Sequence, residues 1–453
     1  MEEKTICAIS TPIGSGGISI IRLSGEKSLE IASKVFHTKN LSVANFEPNK
    51  LYLGSFNAKN FKDKCMCVYF KAPKSYTGED VVEFQCHGGV RIANGIVAEL
   101  IENGAVLAEA GEFTKRAFLN GKISLDEAEG VIDLINSETE SQIKAGYELM
   151  QGSLRKTVLK LQKSITTMLA KIEVSMDYPD EDLETGTIAD TKKDLQGVEE
   201  ELKNLLQTAS SGMTIKNGCK LVILGKTNAG KSSLMNALLG FDRAIVTDIK
   251  GTTRDTLEES FEYKGVKFIL VDTAGIREAK DKVEQIGIEK AKDTLNTADI
   301  ILYVVDGSMK MDEEDNILLK LIGKKKAVAI INKSDLKQNA DVEILNKHFE
   351  KVMKISALKG EGIMELKEYL YNLVIDEKSL SSAVMLTNTR HINIVREAKN
   401  LTELALREVE QNLSLDLLAL DIKNIWLKLG EITGETNTEE IIDEIFMKFC
   451  LGK

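Results

Sequence analysis

The spacing of apolar residues divides the chain into regions. Up to about residue 120, short runs of Val, Ile, Phe and Tyr stand between Gly and Pro residues. Examples are GGISIIRLSG, KCMCVYFKAP and DVVEFQCHGG, and such runs are typical of strands. The stretch VRIANGIVAELIENGA has the periodicity of a helix. The first region is therefore predicted to be an α+β domain.

From about residue 124 the apolar residues follow helical spacing, and no proline interrupts them until DYPDEDLETGT (177–187). Ser124 and Glu127 fit a capping box at the start of this region. DYPDEDLETGT is predicted to break the pattern before a further helix to about residue 210. After about residue 380 the chain is predicted to be helical to its end.

Between these helical regions, residues 219–378 alternate apolar runs with helical stretches: CKLVILG, KFILVDTAG, DIILYVVDGS, KAVAIINKSD and VMKIS. Continuous apolar strands are typical of a parallel sheet buried on both faces. Since both flanks are helical, the simplest arrangement inserts this block into one helical domain. The predicted fold is multidomain α/β, with domain bounds at 1–118, 119–215, 216–378 and 379–453, and with a doubly wound sheet in 216–378.

Length and composition narrow the class of protein. The 453 residues correspond to about three domains. A net charge of −11 argues against a general nucleic-acid coat, although it leaves room for a local basic patch or an RNA-binding partner. No apolar run approaches the ~20 residues of a membrane span, and the first residues lack a signal peptide's basic start. We expect a cytoplasmic protein without a membrane partner.

The six cysteines, which are sparse and irregularly spaced, also favour a cytoplasmic protein. They are predicted to be mostly buried thiols in a reducing compartment. CMC (65–67) has no second cysteine pair, so a zinc site is the lesser alternative. His37, His87, His348 and His391 show no metal-ligand spacing.

The clearest chemical motif is GKTNAGKS (225–232), which fits G-x-x-x-x-G-K-S. Gly225 and Gly230 allow backbone amides to approach phosphate oxygens, Lys231 places a cation by the outer phosphates, and the Ser232 hydroxyl can hold Mg²⁺. The motif follows the apolar run KLVIL and precedes SSLMNALLG, so a strand is predicted before it and a helix after it. That arrangement is the one that phosphate binding needs.

Three further motifs follow in GTPase order. DTAG ends the second apolar run, where Asp272 can reach Mg²⁺ and the Gly275 amide can meet the terminal phosphate. NKSD (332–335) follows a third run, and the Asp335 carboxylate suits the two N–H donors that guanine presents and adenine does not. SAL (356–358) can support the base. The order predicts a GTPase domain of the Ras-like P-loop fold.

TDIKGTTRD (247–255) stands where the first nucleotide switch belongs. Thr253 can complete Mg²⁺ coordination. Arg254 is either an arginine finger or, as is commoner for a cation in such a loop, a solvated side chain. The predicted GTP-binding residues are Asn228, Ala229, Gly230, Lys231, Ser232, Ser233, Thr247, Asp248, Ile249, Lys250, Gly251, Thr252, Thr253, Asp272, Thr273, Ala274, Gly275, Asn332, Lys333, Ser334, Asp335, Ser356, Ala357 and Leu358.

One position conflicts with this prediction. Many GTPases carry a glutamine just after DTAG that orients the attacking water. Here the residue is Ile276, which has no polar group. Either the protein does not hydrolyse GTP, or other groups replace the catalytic glutamine.

The motifs together resemble the MnmE (TrmE) family of tRNA-modifying GTPases. The resemblance covers GKTNAGKSSLMNAL, TDIKGTTRD, DTAGIRE with VEQIG, and the terminal FCLGK. It also covers TPIGSGGISIIRLSG, SYTGEDVVEFQCHGG and GEFTKRAFLNGKISLDEAE, and so spans nearly the whole chain. GSGG (14–17) also fits the loop of an RNA-binding KH domain, but the strand-like runs on either side speak against that.

The resemblance implies a solution to the missing glutamine. The family uses K⁺ bound against the phosphates, which does electrostatically what an arginine finger does. Carried onto this chain, the K⁺ ligands are Asn228, Thr247, Ile249 and Thr252. The resemblance assigns the water-orienting, catalytic role to Glu284, and it implies that the GTPase domains of a homodimer meet across the nucleotides.

For the first region, the resemblance implies a domain that binds 5-formyltetrahydrofolate or a related tetrahydrofolate and that dimerises. Its folate contacts map to Arg22, Glu83, Lys122 and Lys453, and Cys450 is implied as a reactive, catalytic thiol. FCLGK also has a cysteine four residues from its end, as prenylation signals have, but Gly452 and Lys453 suit such a signal poorly.

The resemblance implies the function as well. With a flavin-dependent partner of the MnmG (GidA) type, in a heterotetramer, the protein would add a carboxymethylaminomethyl or aminomethyl group to carbon 5 of the wobble uridine of certain tRNAs. A tetrahydrofolate would supply the one-carbon unit. No G-x-G-x-x-G opens a dinucleotide fold here, so the flavin would belong to the partner.

Two other functions remain open at this point: a ribosome-assembly GTPase, and a folate-dependent one-carbon enzyme with a regulatory GTPase. The basic stretch LRKTVLKLQK (154–163) can touch RNA, although a solvated helix face is the simpler interpretation.

Overall fold

A computed structural model describes residues 4–39, 41–178, 181–240, 259–272, 295–380, 384–411 and 414–452. Contacts divide the chain into two compact units. The first comprises Met1–Ile132, Glu148–Gln196 and Asn400–Lys453, and the second comprises Asp133–Tyr147 and Gly197–Lys399. The four domain bounds drawn from the sequence stay a prediction.

The strands of the described residues form two sheets. The first contains β1 (Ile6–Ile9), β2 (Ile18–Ser24), β3 (Phe36–His37), β4 (Leu51–Asn57), β5 (Lys62–Phe70), β6 (Val81–His87) and β7 (Val106–Leu107). The second contains β8 (Cys219–Gly225), β9 (Glu259–Tyr263), β10 (Val266–Asp272), β11 (Ile300–Asp306), β12 (Ala327–Asn332) and β13 (Val352–Lys354).

Sixteen α-helices lie in the same described ranges. Those up to β8 are α1 (Ser28–Val35), α2 (Val90–Glu102), α3 (Glu112–Leu119), α4 (Leu125–Ile135), α5 (Glu140–Met150), α6 (Ser153–Asp177), α7 (Glu181–Gln207) and α8 (Ala209–Asn217). Those after β8 are α9 (Lys231–Leu239), α10 (Glu313–Ile322), α11 (Val342–His348), α12 (Ile363–Val374), α13 (Glu377–Leu380), α14 (Thr389–Glu410), α15 (Leu415–Thr433) and α16 (Glu439–Phe446).

The first sheet has the strand order β3-β4-β5-β6-β2-β1-β7, and its pairs are antiparallel except β1 with β7. Alternate residues such as Ile21 and Phe84 point into a core shared with α1 and α2. Because side chains alternate between faces along a strand, Arg22 and Glu83 lie on the opposite face. This confirms the predicted α+β region.

The helical part of the first unit is built around α6 and α15. The buried residues of α6 recur every three or four positions, as in Leu154, Val158 and Leu161, and leave the lysines of its basic stretch outside. The Gln162 Nε2 donates to the Trp426 carbonyl of α15 at 3.3 Å. Amphipathic periodicity of this kind predicted these helices correctly.

Two details of the helices differ from prediction. The break at 177–187 is shorter than expected, because α7 already begins at Glu181. At the start of α4, the Ser124 amide donates to Glu127 Oε2 at 2.8 Å as a capping box requires, whereas the Ser124 hydroxyl donates to Asp126 Oδ1 at 2.6 Å.

The second sheet has the order β13-β12-β11-β8-β10-β9, and only the edge strand β9 is antiparallel. Helices α9 and α12 cover one face, and α10 and α11 cover the other. This is the predicted doubly wound sheet, and all five predicted strands are present. β9 was not predicted, because ESFEY is largely polar, as an edge strand facing water can be.

The topology fixes where chemistry can occur in the second unit. The carboxyl ends of parallel strands meet at one edge of a sheet, and ligands of doubly wound sheets bind in the crevice beyond that edge. Gly225, Asp272, Asp306 and Asn332 end the four central parallel strands. Gly225, Asp272 and Asn332 each stand in a motif selected from the sequence, whereas Asp306 does not.

No helix in the described part of the chain combines the length and apolar character that crossing a bilayer requires. Five cysteines are buried, as predicted, and Cys450 is exposed. Burial raises the pKa of Cys7 to about 12, and burial with the nearby Asp63 carboxylate does the same for Cys65. These thiols stay protonated at neutral pH and act as small hydrophobes.

Candidate active site

The phosphate loop joins β8 to α9, as its mechanism requires. Gly230 has φ +93°, and a Cβ atom there would collide with the Asn332 side chain, so both the conformation and the space demand glycine. Asn228 also adopts a left-handed conformation, with φ +64°. Its side chain is exposed and makes no hydrogen bond to another described residue, so its amide oxygen is available to a ligand.

Lys231 is the first residue of α9, and its ammonium folds back over the loop. Nζ donates to the carbonyls of Gly225 at 3.0 Å and Lys226 at 2.8 Å. Ser232 and Ser233 follow in the first turn of α9. The free amides and positive dipole of a helix start favour an anion there. The predicted cation and hydroxyl therefore lie at the amino end of a helix.

Asn332 connects the phosphate loop to the loop after β13. It is 2% exposed, and its Nδ2 donates to the Ala229 carbonyl at 3.0 Å while the Ala357 amide donates to its Oδ1 at 3.0 Å. Both ends of the side-chain amide are satisfied. Residues from three separate sequence motifs are thereby fixed against one another.

Asp335 and Ser356 form the predicted guanine-recognition end. The Ser356 hydroxyl donates to Asp335 Oδ1 at 2.7 Å, and this bond holds the pKa of Asp335 below its ordinary value. The carboxylate therefore stays ionised at neutral pH, as an acceptor for two N–H donors must. The Ser334 amide donates to the Ile355 carbonyl at 2.9 Å. Leu358, also predicted here, is 86% exposed.

Lys333 connects the guanine end to the phosphate loop. Its Nζ donates to the Asn228 carbonyl at 2.9 Å and to Asp306 Oδ2 at 2.5 Å. Burial opposes ionisation of Asp306, but the hydrogen bonds from Lys333 and Ser308 outweigh it and lower the pKa of Asp306. Asp306 was not predicted from the sequence. Its position at the end of the apolar run IILYVVD, like that of Asp272, was the available signal.

A second group that sequence reasoning missed holds the start of the phosphate loop. The Lys226 Nζ lies 2.9 Å from Asp312 Oδ2 and 2.7 Å from Asp315 Oδ2. Asp312 and Asp315 form the capping box of α10, and the buried Tyr303 hydroxyl donates to Asp315 Oδ1 at 2.8 Å. The loop is thus braced from α10 as well as from Asn332.

Part of the predicted site lies outside the described residues. The backbone of Asp272 ends β10 beside Ile223 of β8. The predicted residues that lie outside are Thr247, Asp248, Ile249, Lys250, Gly251, Thr252, Thr253, Arg254, Thr273, Ala274, Gly275, Ile276, Glu284 and Lys453.

The predicted folate residues Arg22 and Glu83 are directly paired across β2 and β6. Arg22 Nε donates to Glu83 Oε1 at 2.8 Å, and the two side chains are 17% and 14% exposed. The Arg22 guanidinium lies 5.4 Å from the Tyr76 ring centroid and 5.5 Å from that of Phe113. These two aromatic residues were not predicted individually, although SYTGED contains Tyr76.

Lys122 and Cys450, which are also predicted for this region, lie on loops. Lys122 Nζ donates to the Pro73 carbonyl at 2.9 Å and so contacts the loop that carries Tyr76. The chain's last described residues pair with the N-terminal region: Leu451 forms a bridge with Ala110. The Ser10 hydroxyl donates to the Gly452 carbonyl at 3.1 Å, so the exposed Cys450 is held by an anchored tail.

The lesser alternatives receive no support from the described residues. There, no three His, Cys, Asp or Glu side chains gather in a way that could hold a metal ion. Cys65 and Cys67 face the buried core. GSGG (14–17) lies between β1 and β2, with a strand on each side as expected.

A phosphate loop between β8 and α9, a braced NKSD and a supporting SAL loop, all at the carboxyl edge of a doubly wound sheet, define the class of protein: a P-loop GTPase. Comparison with known proteins narrows the class. The model of the MnmE helical domain matches residues 125–450, and that of the GTP-binding protein TrmE N-terminus matches residues 5–122.

The curated relatives agree over their full length. The tRNA modification GTPase MnmE of Clostridioides difficile (strain 630) is 43% identical over 456 residues, which cover 100% of this chain and 99% of that protein. The tRNA modification GTPase MnmE of Acetivibrio thermocellus is 42% identical over 459 residues, covering 100% of both. The chain belongs to the MnmE family of tRNA modification GTPases.

Among solved structures, the chain matches Aquifex aeolicus Era bound to GDP and AlF4⁻, at 29% identity over 40% of this chain and 66% of that one. The TM-score is 0.28, and the fold assignment does not depend on it.

Proposed function

We propose that this chain hydrolyses GTP with Mg²⁺ and K⁺. We propose further that, with a flavin-dependent partner of the MnmG (GidA) type, it adds a carboxymethylaminomethyl or aminomethyl group to carbon 5 of the wobble uridine of certain tRNAs. The observation that carries the proposal is the set of contacts that fix the phosphate loop, NKSD and the SAL loop against one another at one sheet edge. The tRNA substrate is proposed on the basis of the family membership.

The chain's own residues account for nucleotide binding. The α9 amino end and Lys231 attract the phosphates, while Asp335, kept ionised by Ser356, accepts from guanine. Lys333 ties the two ends of the nucleotide site together through the Asn228 carbonyl. Binding both ends of GTP on one rigid frame positions the γ-phosphate for attack, which is most of what phosphoryl transfer needs.

The donor set fits the two cations. Ser232 and Thr253 would hold Mg²⁺, and the Asn228 amide oxygen, which makes no hydrogen bond to another described residue, would hold K⁺ with Thr247, Ile249 and Thr252. Oxygen ligands suit both ions. When bound, the cations supply positive charge against the phosphates. Glu284 is proposed to orient the water through a bridging water, so that Ile276 does not mark an inactive enzyme.

The first unit supports a tetrahydrofolate site. Arg22 and Glu83 are paired and mostly buried, and the Tyr76 and Phe113 rings flank Arg22. A carboxylate can accept from pterin N–H donors, and cations such as Lys122 and Lys453 suit the glutamate tail. The folate would supply the one-carbon unit, while these side chains bind and orient it.

We propose a homodimer that joins the flavin-dependent partner in a heterotetramer in the cytoplasm. The face of the first sheet opposite α1 and α2 supports the dimer. There, Leu53 pairs with Met66 across β4 and β5, and both are exposed, at 58% and 38%. Ile18 and Leu51 add exposed apolar surface at 65% and 48%. A patch of this kind on a sheet face fits a second copy of the same chain.

Wobble uridine in a strain lacking the gene tests the proposed function. We expect the modified nucleoside to disappear from total tRNA, as measured by mass spectrometry, and to return on complementation with the wild-type chain. Normal wobble uridine with defective ribosomal subunits would instead favour a ribosome-assembly GTPase. A folate enzyme with a regulatory GTPase would leave both unchanged and alter one-carbon pools.

Cys450→Ser is expected to reduce wobble modification to the level of the deletion strain while leaving GTP hydrolysis intact. The exposed thiol stands on a tail anchored to the folate-binding region, and a serine hydroxyl of similar size is a far weaker nucleophile. Complementation and GTP turnover of the purified variant measure the two effects.

Ser10→Ala is the matched control for Cys450→Ser, because it removes the hydrogen bond to the Gly452 carbonyl but keeps the thiol. It should retain most of the modification. Full modification by Cys450→Ser would refute the catalytic role.

A further inference from the structure

The amino end of α5 lies against the turn between β9 and β10. Residues 263–267, here called the hairpin tip, include Lys264 with φ +50° and Gly265 with φ +80°. A Cβ atom on Gly265 would have only Ser141 atoms as its nearest neighbours, and it would collide with the Ser141 hydroxyl. The backbone of the tip and the first turn of α5 are therefore in direct contact.

Polar contacts fix the same pair of elements. Lys267 Nζ lies 2.6 Å from Glu138 Oε2, just before α5. The Gln142 Nε2 donates to the Lys216 carbonyl at 2.9 Å, and Lys216 Nζ lies 2.7 Å from Asp133 Oδ1. Residues 133–147 accordingly group with 197–399 in one compact unit, although they precede it by about fifty positions.

The hairpin tip is also held from its other side. The Tyr263 hydroxyl donates to Glu368 Oε2 at 2.7 Å, and the Lys264 Nζ lies 2.7 Å from the same oxygen. Glu368 belongs to α12, which packs on the sheet. The tip thus lies between α5 and α12 and contacts both through named side chains.

The hairpin lies in the chain between the predicted first switch and DTAG, so its two strands connect the nucleotide site to α5. β9 begins six residues after Thr253 of the predicted first switch, and β10 ends at Asp272 of DTAG. The same two strands that run to the nucleotide-binding edge therefore end, at their opposite end, in the tip. A movement of β9 or β10 along its axis therefore displaces α5 directly, because the hairpin tip contacts α5.

We propose that the β9–β10 hairpin is the relay that carries the nucleotide state to the helical segment 133–147, through Gly265 on Ser141 and Lys267 on Glu138. This proposal rests on the proposed GTP binding, and it adds the path by which the nucleotide state reaches residues 133–147. When a strand pair contacts one partner at each end, either partner can shift the equilibrium between its positions. The segment, not the isolated GTPase core, is the part that reports GTP to the rest of the chain.

Hydrogen exchange in the full-length protein tests the relay. In the wild type, α5 amides should exchange at different rates with GDP and with a non-hydrolysable GTP analogue. Gly265→Ala places a methyl group against the Ser141 hydroxyl and should speed α5 exchange about tenfold and remove the nucleotide difference. Wobble modification should fall with it, while GTP turnover persists.

Gly323→Ala is the matched control. Gly323 also has a left-handed φ, +60°, but the nearest atom to its added Cβ is the Lys320 carbonyl oxygen at 3.9 Å. An alanine there also has to adopt a positive φ, but it meets no collision, so this variant should keep the nucleotide difference. Adding Ser141→Gly to Gly265→Ala removes the two closest atoms and should restore it.

If Gly265→Ala does not fold, the charge pair gives a second route. Glu138→Lys and Lys267→Glu should each speed α5 exchange, and the two together should reverse the effect. The relay is wrong if α5 exchanges identically with both nucleotides, or if Gly265→Ala keeps the difference. Failure to bind or hydrolyse GTP at all would overturn the proposed function instead.

Discussion

Asp335→Asn is expected to weaken GTP binding by roughly two to four orders of magnitude and to shift preference toward xanthosine triphosphate. Two hydrogen bonds to an ionised acceptor account for a loss of about that size. Asparagine presents an N–H group where the carboxylate presented oxygen, so one guanine donor faces another donor. Xanthine has a carbonyl in place of the guanine amino group and accepts from it.

The local structure supports a large effect at this residue. The Ser356 hydroxyl holds Asp335 Oδ1 at 2.7 Å and keeps the carboxylate ionised, so the acceptor is fixed before the nucleotide arrives. Equilibrium titration with fluorescent GTP and XTP analogues measures the change. An Asp335→Asn protein that binds GTP as tightly as the wild type would contradict guanine recognition at this end.

Ser356→Ala separates the carboxylate from its support. It removes one hydroxyl donor to the carboxylate and leaves the acceptor, so GTP affinity should fall by about tenfold, without a gain for XTP. A loss as large as that of Asp335→Asn would mean that the loop geometry, not the carboxylate chemistry, decides binding.

The local patterns predicted most of this architecture. Continuous apolar runs predicted the five parallel strands, because strands buried on both faces cannot alternate. The phosphate loop followed from a strand before GKTNAGKS and a helix after it. Asp335 and Ser356 could be assigned because each stands beside a motif at the end of such a run.

The sequence could not reveal contacts between side chains that lie far apart along the chain. Asp306 and Lys333 pair across 27 positions, and Lys226 reaches Asp312 across 86. Neither pair has a spacing signature, since only the sheet order brings them together. The edge strand β9 escaped notice for a related reason: of its five residues, only Phe261 is buried in the apolar core, and one buried residue gives no strand pattern.

The grouping of residues 133–147 shows the same limit at the level of domains. Helical periodicity assigned this segment to the helical region, and the family model for that region also spans it. Its contacts, through Gln142 to Lys216 and Glu138 to Lys267, place it with the nucleotide-binding unit. Periodicity identifies a helix but not the surface against which it packs.

The second large effect concerns the monovalent cation. We expect Asn228→Ala to slow GTP turnover in K⁺ by roughly 10²- to 10³-fold, the cost of losing one preorganised electrostatic stabiliser of the transition state. The Asn228 amide is exposed in the phosphate loop, three positions before Lys231, whose ammonium folds back over the same loop. Its backbone carbonyl still accepts from Lys333 in the variant, so the loop keeps its brace.

Asn228→Gly controls for strain in that experiment. Asn228 has φ +64°, which alanine tolerates poorly and glycine tolerates well. If the side chain holds the cation, both variants should lose the same activity. If strain alone explains the loss, Asn228→Gly should retain the wild-type rate.

The most direct test of the proposed mechanism is GTP turnover by the full chain in K⁺ and in Na⁺ at equal ionic strength, with particle size measured alongside. We predict fast turnover in K⁺ only, a drop of about 10²-fold or more in Na⁺, and Asn228→Gly in K⁺ no faster than the wild type in Na⁺. Equal wild-type rates in the two salts, unchanged by Asn228→Gly, would contradict it.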